Sequence, residues 1–310
     1  MSDIRFDGRV AIVTGAGVGL GRSHALGLAA RGAKVVINDL GVSTDGQGSS
    51  SAAAQAVVEE IRAMGGEAMA HGADVSNEEQ VQDMVAQTMD AWGRIDILVN
   101  NAGILRDKTF AKMTMADFRK VVDVHLMGSA ACAHACWPIM REQKYGRIVF
   151  TASASGIYGN FGQANYGAAK AAMIGLMNVL HIEGARDDIR VNTLAPTAAT
   201  RMTENLIPPA ALDLMAPETI TPGLLYLVSQ DAPSRVILGA GAGCFAQTRI
   251  YETAGVHLAP DANTPEAVAA QFDQIQAPEG QQELADAFGQ TRKFTSNAAQ
   301  AQGIDLSWGE

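Results

Sequence analysis

The amino-acid sequence predicts a doubly wound α/β fold: one parallel sheet of seven strands with helices on both faces, followed by a C-terminal extension. Short apolar runs alternate with helical patterns from the start of the chain to about residue 245. The apolar runs are continuous rather than interrupted at every second residue, which is typical of parallel strands buried on both faces. A glycine-rich segment, "TGAGVGLG", follows the first run and begins the first helix.

The predicted strands follow one another with a helix between each pair. In chain order they are "RVAIVTG", "AKVVIND", "EAMAHGADV", "IDILVNNAG", "GRIVFTAS", "IRVNTLAP" and "RVILGAG". Helix end signals support the division: Gly32 ends the first helix, and Ser76 or Asn77 begins the third. The longest helices are expected over 115–141 and 164–186, and the last over 218–229.

This alternation defines one domain over residues 1–245. Residues 246–310 form the predicted extension, packed on or near the same domain, with helical structure over 260–290 and loose order over 294–310. The formal net charge is −10, which argues against nucleic acid or an anionic membrane as the main partner. The start of the chain lacks the pattern of a secretory signal, and no apolar run approaches about 18 residues, so we expect a cytoplasmic protein.

The three cysteines do not suggest a disulfide framework. Cys132 and Cys136 lie four residues apart in a predicted helix, and His134 between them points elsewhere at helical spacing. We therefore interpret the two thiols as small buried apolar groups in a helix interface. No metal site is predicted.

The glycine-rich segment lies where a strand ends and a helix begins, a place that favours a bound anion. Its spacing is G-x-x-x-G-x-G, and Leu20 occupies the position that a third glycine would take in G-x-G-x-x-G counted from Gly15. Inside a βαβ unit this pattern indicates a Rossmann-type loop for the pyrophosphate of a dinucleotide. The residues expected at the cofactor are Gly15, Gly17, Gly19, Leu20 and Gly21.

Asp39 ends the second predicted strand, 18 residues after Gly21. A carboxylate at this position can accept hydrogen bonds from the adenosine ribose hydroxyls and repels a 2′-phosphate. The next residues, "LGVSTDG", contain no basic side chain. The sequence therefore predicts NAD rather than NADP as the cofactor.

Tyr166 and Lys170 lie four residues apart in a helical pattern and share a face, and Ser153 precedes Tyr166 by 13 residues at the end of the fifth predicted strand. An ammonium about 4 Å from a phenol, at an effective dielectric near 20, contributes roughly 4 kcal/mol. We expect this field to lower the pKa of Tyr166 towards neutrality, where a phenol works as an acid and base. The Ser153 hydroxyl would hold the substrate oxygen.

Together, "TGAGVGLG", "NNAG" at 100–103, Ser153 and "YGAAK" resemble the short-chain dehydrogenase/reductase superfamily. Longer segments, such as "NNAGILRDKTF", "DVHLMGSA" and "SASGIYGNFGQANY", resemble its (3R)-hydroxyacyl-CoA dehydrogenase branch, the region found in the multifunctional enzyme of peroxisomal β-oxidation, in a bacterial stand-alone form. This resemblance covers about residues 1–290.

The resemblance implies further roles. Asp74 and Val75 would flank the adenine. The nicotinamide side of the crevice would be lined by Asn101, Ala102, Gly103, Tyr166, Lys170 and Pro196, although Ala195-Pro196-Thr197 lacks the glycine that usually follows the proline. His125 stands where the superfamily usually has an asparagine of a proton relay; it is either a fourth catalytic residue or a packed helix histidine.

The resemblance implies NAD-dependent oxidation of a (3R)-3-hydroxyacyl-CoA to the 3-ketoacyl-CoA, in breakdown of a fatty acid or a steroid side chain. Candidate cations for the CoA are Arg106, Lys108 and Arg201, and candidate residues for an apolar lid are Met202, Leu206, Leu212, Leu214 and Met215. The alternatives are a 17β-hydroxysteroid dehydrogenase, a 3-ketoacyl-carrier-protein reductase and a non-catalytic NAD-binding module. Two long helices that are apolar on more than one face indicate a homodimer or homotetramer.

Overall fold

A computed structural model of the chain describes residues 3–41, 46, 52–198, 211 and 213–308. In this part of the chain the strands form a single sheet in the order β3-β2-β1-β4-β5-β6-β7-β8. The strands are β1 (Val10–Thr14), β2 (Lys34–Asn38), β3 (Ala68–His71), β4 (Ile97–Asn100), β5 (Gly146–Thr151), β6 (Ile189–Pro196), β7 (Ile237–Gly241) and β8 (Cys244–Thr248). Strands β1 to β7 are parallel, which confirms the predicted doubly wound α/β fold.

The eighth strand was not predicted. It pairs antiparallel with β7 through a tight turn in which Ala242 (φ 50°) and Gly243 (φ 73°) both adopt positive φ, the backbone of a two-residue hairpin whose twist matches the flanking strands. Four of its five residues are exposed. Because "CFAQT" is neither buried nor continuously apolar, it gives no signal of a parallel strand.

Helices cover both faces of the sheet. Those that the structure describes up to residue 248 are α1 (Gly19–Ala29), α2 (Ala52–Ala63), α3 (Glu78–Trp92), α4 (Met115–Val122), α5 (Gly128–Gln143), α6 (Ala154–Tyr158), α7 (Ala164–Gly184) and α8 (Thr221–Leu227). One core lies between the sheet and α1, α2 and α8, and the other between the sheet and α3, α5 and α7. The single helix expected over 115–141 is interrupted by a π-helical turn at Asp123–Met127, and such turns are frequent at functional sites.

The order of the strands places the crevice. Chain direction across the sheet reverses between β1 and β4, since β1 leads outward to β2 and β4 leads to β5. Ligands of doubly wound folds bind outside the carboxyl ends of the strands at such a switch point. The glycine-rich segment after β1, "NNAG" after β4 and Ser153 after β5 all lie at this end of the sheet.

The chain divides into two compact units, Met1–Thr248 and Arg249–Glu310. The second contains α9 (Pro265–Ala270), α10 (Phe272–Ile275) and α11 (Ala287–Ala301). The expectation of loose order over 294–310 is wrong as far as Trp308: α11 is capped by Asp286, which accepts from the Gly289 amide, and Phe288 contacts the ring of Trp308 edge-on. Residues 276–286 are not helical.

Within the described residues, no helix has the length and apolar character needed to cross a bilayer. The same residues contain no group of three or more His, Cys, Asp or Glu side chains arranged to hold a metal ion. Cys132 and Cys136 are buried in α5. Burial raises the pKa of the Cys132 thiol to about 12 and that of Cys136 further, so both behave as the apolar packing groups that were predicted.

Candidate active site

The glycine-rich segment packs closely against its own chain. A Cβ on Gly15 would lie 2.8 Å from Ala102 Cα, one on Gly17 would lie 2.8 Å from Asp39 Oδ2, and one on Gly21 would lie 2.0 Å from Gly15 O. Gly19 differs, because its φ is +56° and a Cβ there would meet no atom within 4 Å. Close packing therefore requires Gly15, Gly17 and Gly21, whereas the left-handed backbone requires Gly19, which faces open space.

Asn101 fixes the loop to the end of β4. Its side-chain amide donates to Thr14 O (3.1 Å) and Gly15 O (3.0 Å), and its backbone N–H donates to Thr14 Oγ1 (3.0 Å), as does that of Ala102. The helix that follows the loop, α1, has Val18 as N-cap and no side-chain cap. The first amides of α1 thus have no side-chain acceptor and are directed to a place where an anion is favoured.

Asp39 follows β2 and lies beside the glycine loop. Its carboxylate accepts hydrogen bonds from the backbone N–H groups of Gly17 (2.7 Å) and Gly41 (2.7 Å). These bonds orient the carboxylate and leave it further acceptor capacity, because an ionised carboxylate has about four lone-pair positions. The position and orientation of Asp39 fit a ligand that offers hydroxyl donors.

A cleft enclosing about 930 Å³, part of it open to solvent, runs along these strand ends. Its lining includes seven of the predicted cofactor residues: Gly15, Asp39, Asp74, Val75, Asn101, Ala102 and Gly103. Lys120 of α4 also lines it, with its ammonium 3.4 Å from Ser76 Oγ and 4.0 Å from Asp74 Oδ2. Lys120 was not predicted, because its spacing to Asp74 matches no known motif.

Two predicted cofactor residues lie at the margin of this site. Leu20 is half-buried and packs its side chain against the core below α1. Pro196 ends β6 in register with Ala240. Neither residue lines the cleft.

Ser153, Tyr166 and Lys170 come together above the carboxyl end of β5. Ser153 is the N-cap of α6, where its hydroxyl accepts from the Ser155 amide (3.2 Å), and it is close enough to the Tyr166 phenol to lower its pKa. Lys170 is buried, its ammonium donates to Thr151 O (2.5 Å), and the nitrogen lies 5.5 Å from the centroid of the Tyr166 ring. The residues that the sequence places 13 and 4 positions apart therefore share one site.

The electrostatics differ from the expected picture. Burial raises the pKa of the Tyr166 phenol, the Ser153 side chain lowers it, and the charge of Asp107 raises it. Burial also lowers the pKa of Lys170 to about 7. The predicted lowering of the Tyr166 pKa by Lys170 is wrong for the chain by itself, because desolvation outweighs the field of an ammonium that is itself easily deprotonated.

His125 lies in the π-helical turn between α4 and α5 and is buried. Its Nε2 is 2.8 Å from Ile104 O, whereas Nδ1 is buried without a hydrogen-bond partner in the described structure. Burial and the charge of Lys170 lower its pKa to about 3, against a raising effect of the Ile104 bond, so the imidazole is neutral. The ring contacts Tyr166, and a Cβ on Gly103 would lie 2.2 Å from its Cε1.

These contacts join the two parts of the site. Gly103 lines the cleft and touches His125, which in turn touches Tyr166. Asn165, which was not predicted either, is fully buried next to Tyr166: its Oδ1 accepts from the Tyr166 N–H (2.8 Å) and its Nδ2 donates to Arg106 O (3.0 Å). Its position directly before Tyr166 was the available signal.

The predicted cation and lid residues are only partly described. Arg106 and Lys108 form ion pairs with Asp117, at 3.0 Å and 3.6 Å. Arg201, Met202, Leu206 and Leu212 lie outside the described residues. Leu214 is exposed, whereas Met215 is buried and lines a second, mainly apolar groove of about 870 Å³.

This second groove begins at Ala154, next to Ser153, and extends to the β7–β8 hairpin. Its lining is mostly small or apolar: Ala154, Ile157, Tyr158, Ala195, Thr197, Met215, Gly239, Ala240, Gly241, Ala242, Cys244, Phe245, Ala246 and Thr248. The Tyr158 hydroxyl lies 3.2 Å from Thr248 Oγ1 and bridges the two sides. An apolar group attached to an alcohol at Ser153 would find an apolar surface there.

Residues 9–210 match the family of short chain dehydrogenases. The chain belongs to the short-chain dehydrogenase family. Membership makes it an oxidoreductase of the nicotinamide-dinucleotide type, in agreement with the resemblance that the motifs indicate. The chain is also 48% identical, over 88% of its length, to peroxisomal multifunctional enzyme A of Dictyostelium discoideum, and it spans 61% of the length of that relative.

Two solved structures share the fold of this short-chain dehydrogenase. Full-length peroxisomal multifunctional enzyme type 2 from Drosophila melanogaster matches with a TM-score of 0.80 and 37% identity, over 96% of this chain and 50% of that one. A 7α-hydroxysteroid dehydrogenase complexed with NADH and 7-oxo glycochenodeoxycholic acid matches with a TM-score of 0.70 and 30% identity, over 78% of this chain and 98% of that one.

Proposed function

We propose that the chain oxidises the secondary alcohol of a (3R)-3-hydroxyacyl-CoA to the 3-ketoacyl-CoA with NAD. The observation that carries the proposal is the convergence of Ser153, Tyr166 and Lys170 at the end of β5, beside a cleft that Asp39 lines. The acyl-CoA part rests on the resemblance of the motifs to the (3R)-hydroxyacyl-CoA dehydrogenase branch, and the similarity to the Dictyostelium and Drosophila multifunctional enzymes, over 88% and 96% of this chain, is consistent with it.

In this mechanism Tyr166 accepts the proton of the substrate hydroxyl, and Ser153 holds the same oxygen through a hydrogen bond. A bound dinucleotide would supply the acceptor for the hydride that leaves C3 of the substrate. Lys170 anchors the reacting side of α7 through its bond to Thr151 O and supplies the nearest positive charge to the phenol. A neutral His125 can pass or receive a proton only through Nδ1, because Nε2 is engaged with Ile104.

The residues present fit a dinucleotide. Gly19 faces open space at the start of α1, the first amides of that helix lack a side-chain cap, and Asp39 lies at the end of β2. The carboxylate favours the ribose hydroxyls of NAD over the 2′-phosphate of NADP. Steady-state kinetics with both cofactors test this preference, and a lower KM for NADP than for NAD contradicts it.

The substrate is proposed from the apolar groove that begins beside Ser153. An acyl chain can lie along Ile157, Met215 and Phe245, whereas the anionic CoA needs cations. Lys108 is half-exposed despite its ion pair with Asp117 and is the first candidate. If the groove binds the acyl chain and Lys108 binds the CoA, Lys108→Gln should raise KM for the CoA ester without lowering kcat.

A 17β-hydroxysteroid dehydrogenase is the second candidate. The same groove is mainly apolar and encloses about 870 Å³, and the structural similarity to a hydroxysteroid dehydrogenase favours this alternative. Reduction of NAD should be measured across a panel of (3R)-hydroxyacyl-CoAs and hydroxysteroids. A kcat/KM for any steroid well above that for every CoA ester would reverse the order of the two proposals.

One variant distinguishes a non-catalytic NAD-binding module from the two enzymes proposed above. Tyr166→Phe should abolish turnover and leave binding of NADH nearly unchanged, which fluorescence titration of NADH measures. Equal turnover in this variant would remove Tyr166 from the mechanism. A ketoacyl-carrier-protein reductase would prefer NADPH as cofactor and a carrier-protein thioester as substrate.

We further propose a homodimer or homotetramer in the cytoplasm. The outer faces of α5 and α7 form an apolar groove lined by Ala130, Ala133, His134, Trp137, Leu176, Leu180 and Glu183, and Val179 and Ile182 of α7 are exposed. Light scattering of the wild type and of Val179→Glu measures the subunit number and tests this face.

A further inference from the structure

The segment after β4 crosses the start of α7 and is fixed there. Three hydrogen bonds hold residues 106–108 against the region from residue 162 to residue 165: Asn165 Nδ2 to Arg106 O (3.0 Å), Lys108 N to Gly162 O (3.0 Å) and Gln163 Nε2 to Asp107 Oδ2 (2.6 Å). Two of them use backbone atoms on either side of Asp107. The backbone at Asp107 is therefore held at the same place as the helix turn that carries Tyr166.

The Asp107 carboxylate is also held by an oriented partner. Gln163 donates to it through Nε2, while its Oε1 accepts from Ser155 Oγ (2.8 Å) and from Asn160 Nδ2 (3.0 Å). Because both ends of the amide are engaged, the amide cannot turn without losing three bonds. This network links Asp107 to α6, whose N-cap is Ser153.

Among the described residues, four side chains bear on the ionisation of Tyr166. Lys170 lies beside the phenol ring in α7, the neutral His125 contacts the ring from the π-helical turn, and the uncharged Ser153 lies at the end of β5. Asp107 is bound by Gln163, three residues before Tyr166. Within the described residues Asp107 forms no ion pair, since the neighbouring Arg106 and Lys108 pair with Asp117. Gln163 keeps this carboxylate at the start of α7, and its charge acts to raise the pKa of Tyr166.

We propose that Asp107 is a positioning residue of this site: its carboxylate, held by Gln163 against the start of α7, opposes loss of the phenolic proton of Tyr166 and so sets the pH range of catalysis. The proposal rests on the proposed function, in which Tyr166 exchanges a proton with the substrate oxygen. Oxidation needs the phenolate at the start, and reduction needs the phenol. The negative charge thus shifts both reactions to higher pH.

The test is Asp107→Asn, which removes the charge and keeps an oxygen that can accept from Gln163 Nε2. For oxidation, the ratio of kcat/KM at pH 6.5 to its high-pH plateau should rise by about threefold, a modest effect because Asp107 is partly open to solvent. For reduction, the fall of kcat/KM on the alkaline side should begin at lower pH. Asp107→Glu restores the charge and should move both profiles back towards the wild type.

The matched control is Asp231→Asn, an equal change of charge at an exposed position before β7, at the opposite end of the sheet from Ser153. It should leave both profiles in place. If Asp107→Asn lowers the plateau rates while both profiles keep their position, Asp107 only supports the loop and the proposal is wrong. Unchanged rates and profiles overturn it as well.

A second measurement needs no substrate. The tyrosinate absorbance near 295 nm, taken as the difference between each protein and its Tyr166→Phe counterpart, reports ionisation of Tyr166 alone. In the Asp107→Asn background this ionisation should occur at lower pH than with Asp107 present. If no alcohol is turned over, the proposed function fails and this titration still decides the role of Asp107; an identical titration in both backgrounds refutes it.

Discussion

The imidazole of His125 stands edge-on to the phenol ring of Tyr166, with the ring centroids 5.2 Å apart and the planes at 88°. Aromatic rings at this separation and angle attract one another by about 0.5–1.5 kcal/mol beyond their buried area. The imidazole is itself fixed, by its bond to Ile104 and by close contact with the backbone of Gly103. The cleft wall and the phenol are therefore coupled mechanically through one neutral histidine.

This coupling predicts the effect of Gly103→Ala. The new methyl group would overlap His125 Cε1, because an ideal Cβ lies 2.2 Å from that atom. The ring must shift, and the phenol that it supports shifts with it. We expect kcat to fall by about tenfold or more, since a displacement near 1 Å at reacting groups costs up to about 10²-fold, with about 1–3 kcal/mol lost in the free energy of unfolding.

The control for this variant is Gly72→Ala. Gly72 is exposed, its φ is not in the left-handed region and a Cβ there meets no atom within 4 Å. Its kcat and its urea midpoint should match the wild type. A Gly103→Ala enzyme with wild-type kcat would show that His125 does not support the phenol.

We expect Lys170→Met to lower activity without lowering stability. The buried ammonium has its pKa lowered to about 7 by desolvation, and methionine fills a similar length without a charge. Removing the cost of the buried charge should leave the free energy of unfolding at pH 6 unchanged or higher. Activity should nevertheless fall by about 10²-fold to 10⁴-fold, the range attributed to a positioned acid–base group.

The two readouts for Lys170→Met are urea unfolding and steady-state oxidation of the alcohol on the same preparation. For a lysine with a lowered pKa, the unfolded chain holds more protons between pH 7 and about 10. The wild type should therefore gain stability as pH rises through this window, and the variant should not. A variant that unfolds at much lower urea and retains full activity when folded would reverse the assignment.

Much of the candidate site could be predicted from the sequence, because local sequence patterns fix the positions of its residues. The glycine spacing after β1, the carboxylate that ends β2 and the four-residue step from Tyr166 to Lys170 each depend on one element and its neighbour. The order of the elements then brings Ser153 to Tyr166, since both follow the same strand β5. These predictions needed only the rule that ligands bind at the carboxyl ends of parallel strands.

The remaining features depend on contacts that no spacing encodes. The sequence suggests that "TGAGVGLG" lacks side chains to admit a ligand, yet Gly21 makes room for Gly15 and for the Asn101 amide. The pKa of Tyr166 also depends on its burial and on Asp107, which is 59 positions away in the chain. Burial and the balance of opposing charges are properties of the packed molecule.

Because His24 is buried, we expect the free energy of unfolding to fall in acid. It is buried in α1, its Nδ1 lies 2.9 Å from Thr221 Oγ1, and Nε2 has no partner in the described structure. Burial lowers its pKa to about 3, below the ordinary 6.5. Between these values the unfolded chain binds a proton that the folded chain does not, so stability falls as pH falls, by about 1.4 kcal/mol per pH unit.

The variant His24→Asn can keep a polar atom near Thr221 and cannot be protonated. Its free energy of unfolding should decline less steeply than that of the wild type between pH 6 and pH 4. The difference in slope isolates His24, because the carboxylates with lowered pKa are common to both proteins. The exposed His257→Asn serves as control, and equal slopes in His24→Asn and wild type would contradict the prediction.

Away from the candidate active site, we expect replacement of Arg147 to cause the largest loss of stability. Its side chain is fully buried near the amino end of β5, where the guanidinium donates to the carbonyls of Ser229 (3.0 Å), Asp188 (2.6 Å) and Gln230 (3.0 Å). It also lies 4.1 Å from the centroid of the Tyr145 ring. These donors join the loops before β6 and β7 to the centre of the sheet.

Arg147→Met leaves those carbonyls buried and without a donor, so we expect the free energy of unfolding to fall by about 3–5 kcal/mol. Arg147→Lys should recover only part of this, because one ammonium cannot reproduce the fork of five donors. Arg190→Met is the matched control: Arg190 pairs with the same Asp188 and is one-third exposed, and its loss should cost about 1 kcal/mol or less. A loss below 1 kcal/mol in Arg147→Met, measured by urea unfolding, would mean that water replaces the guanidinium and that the loops hold their positions without it.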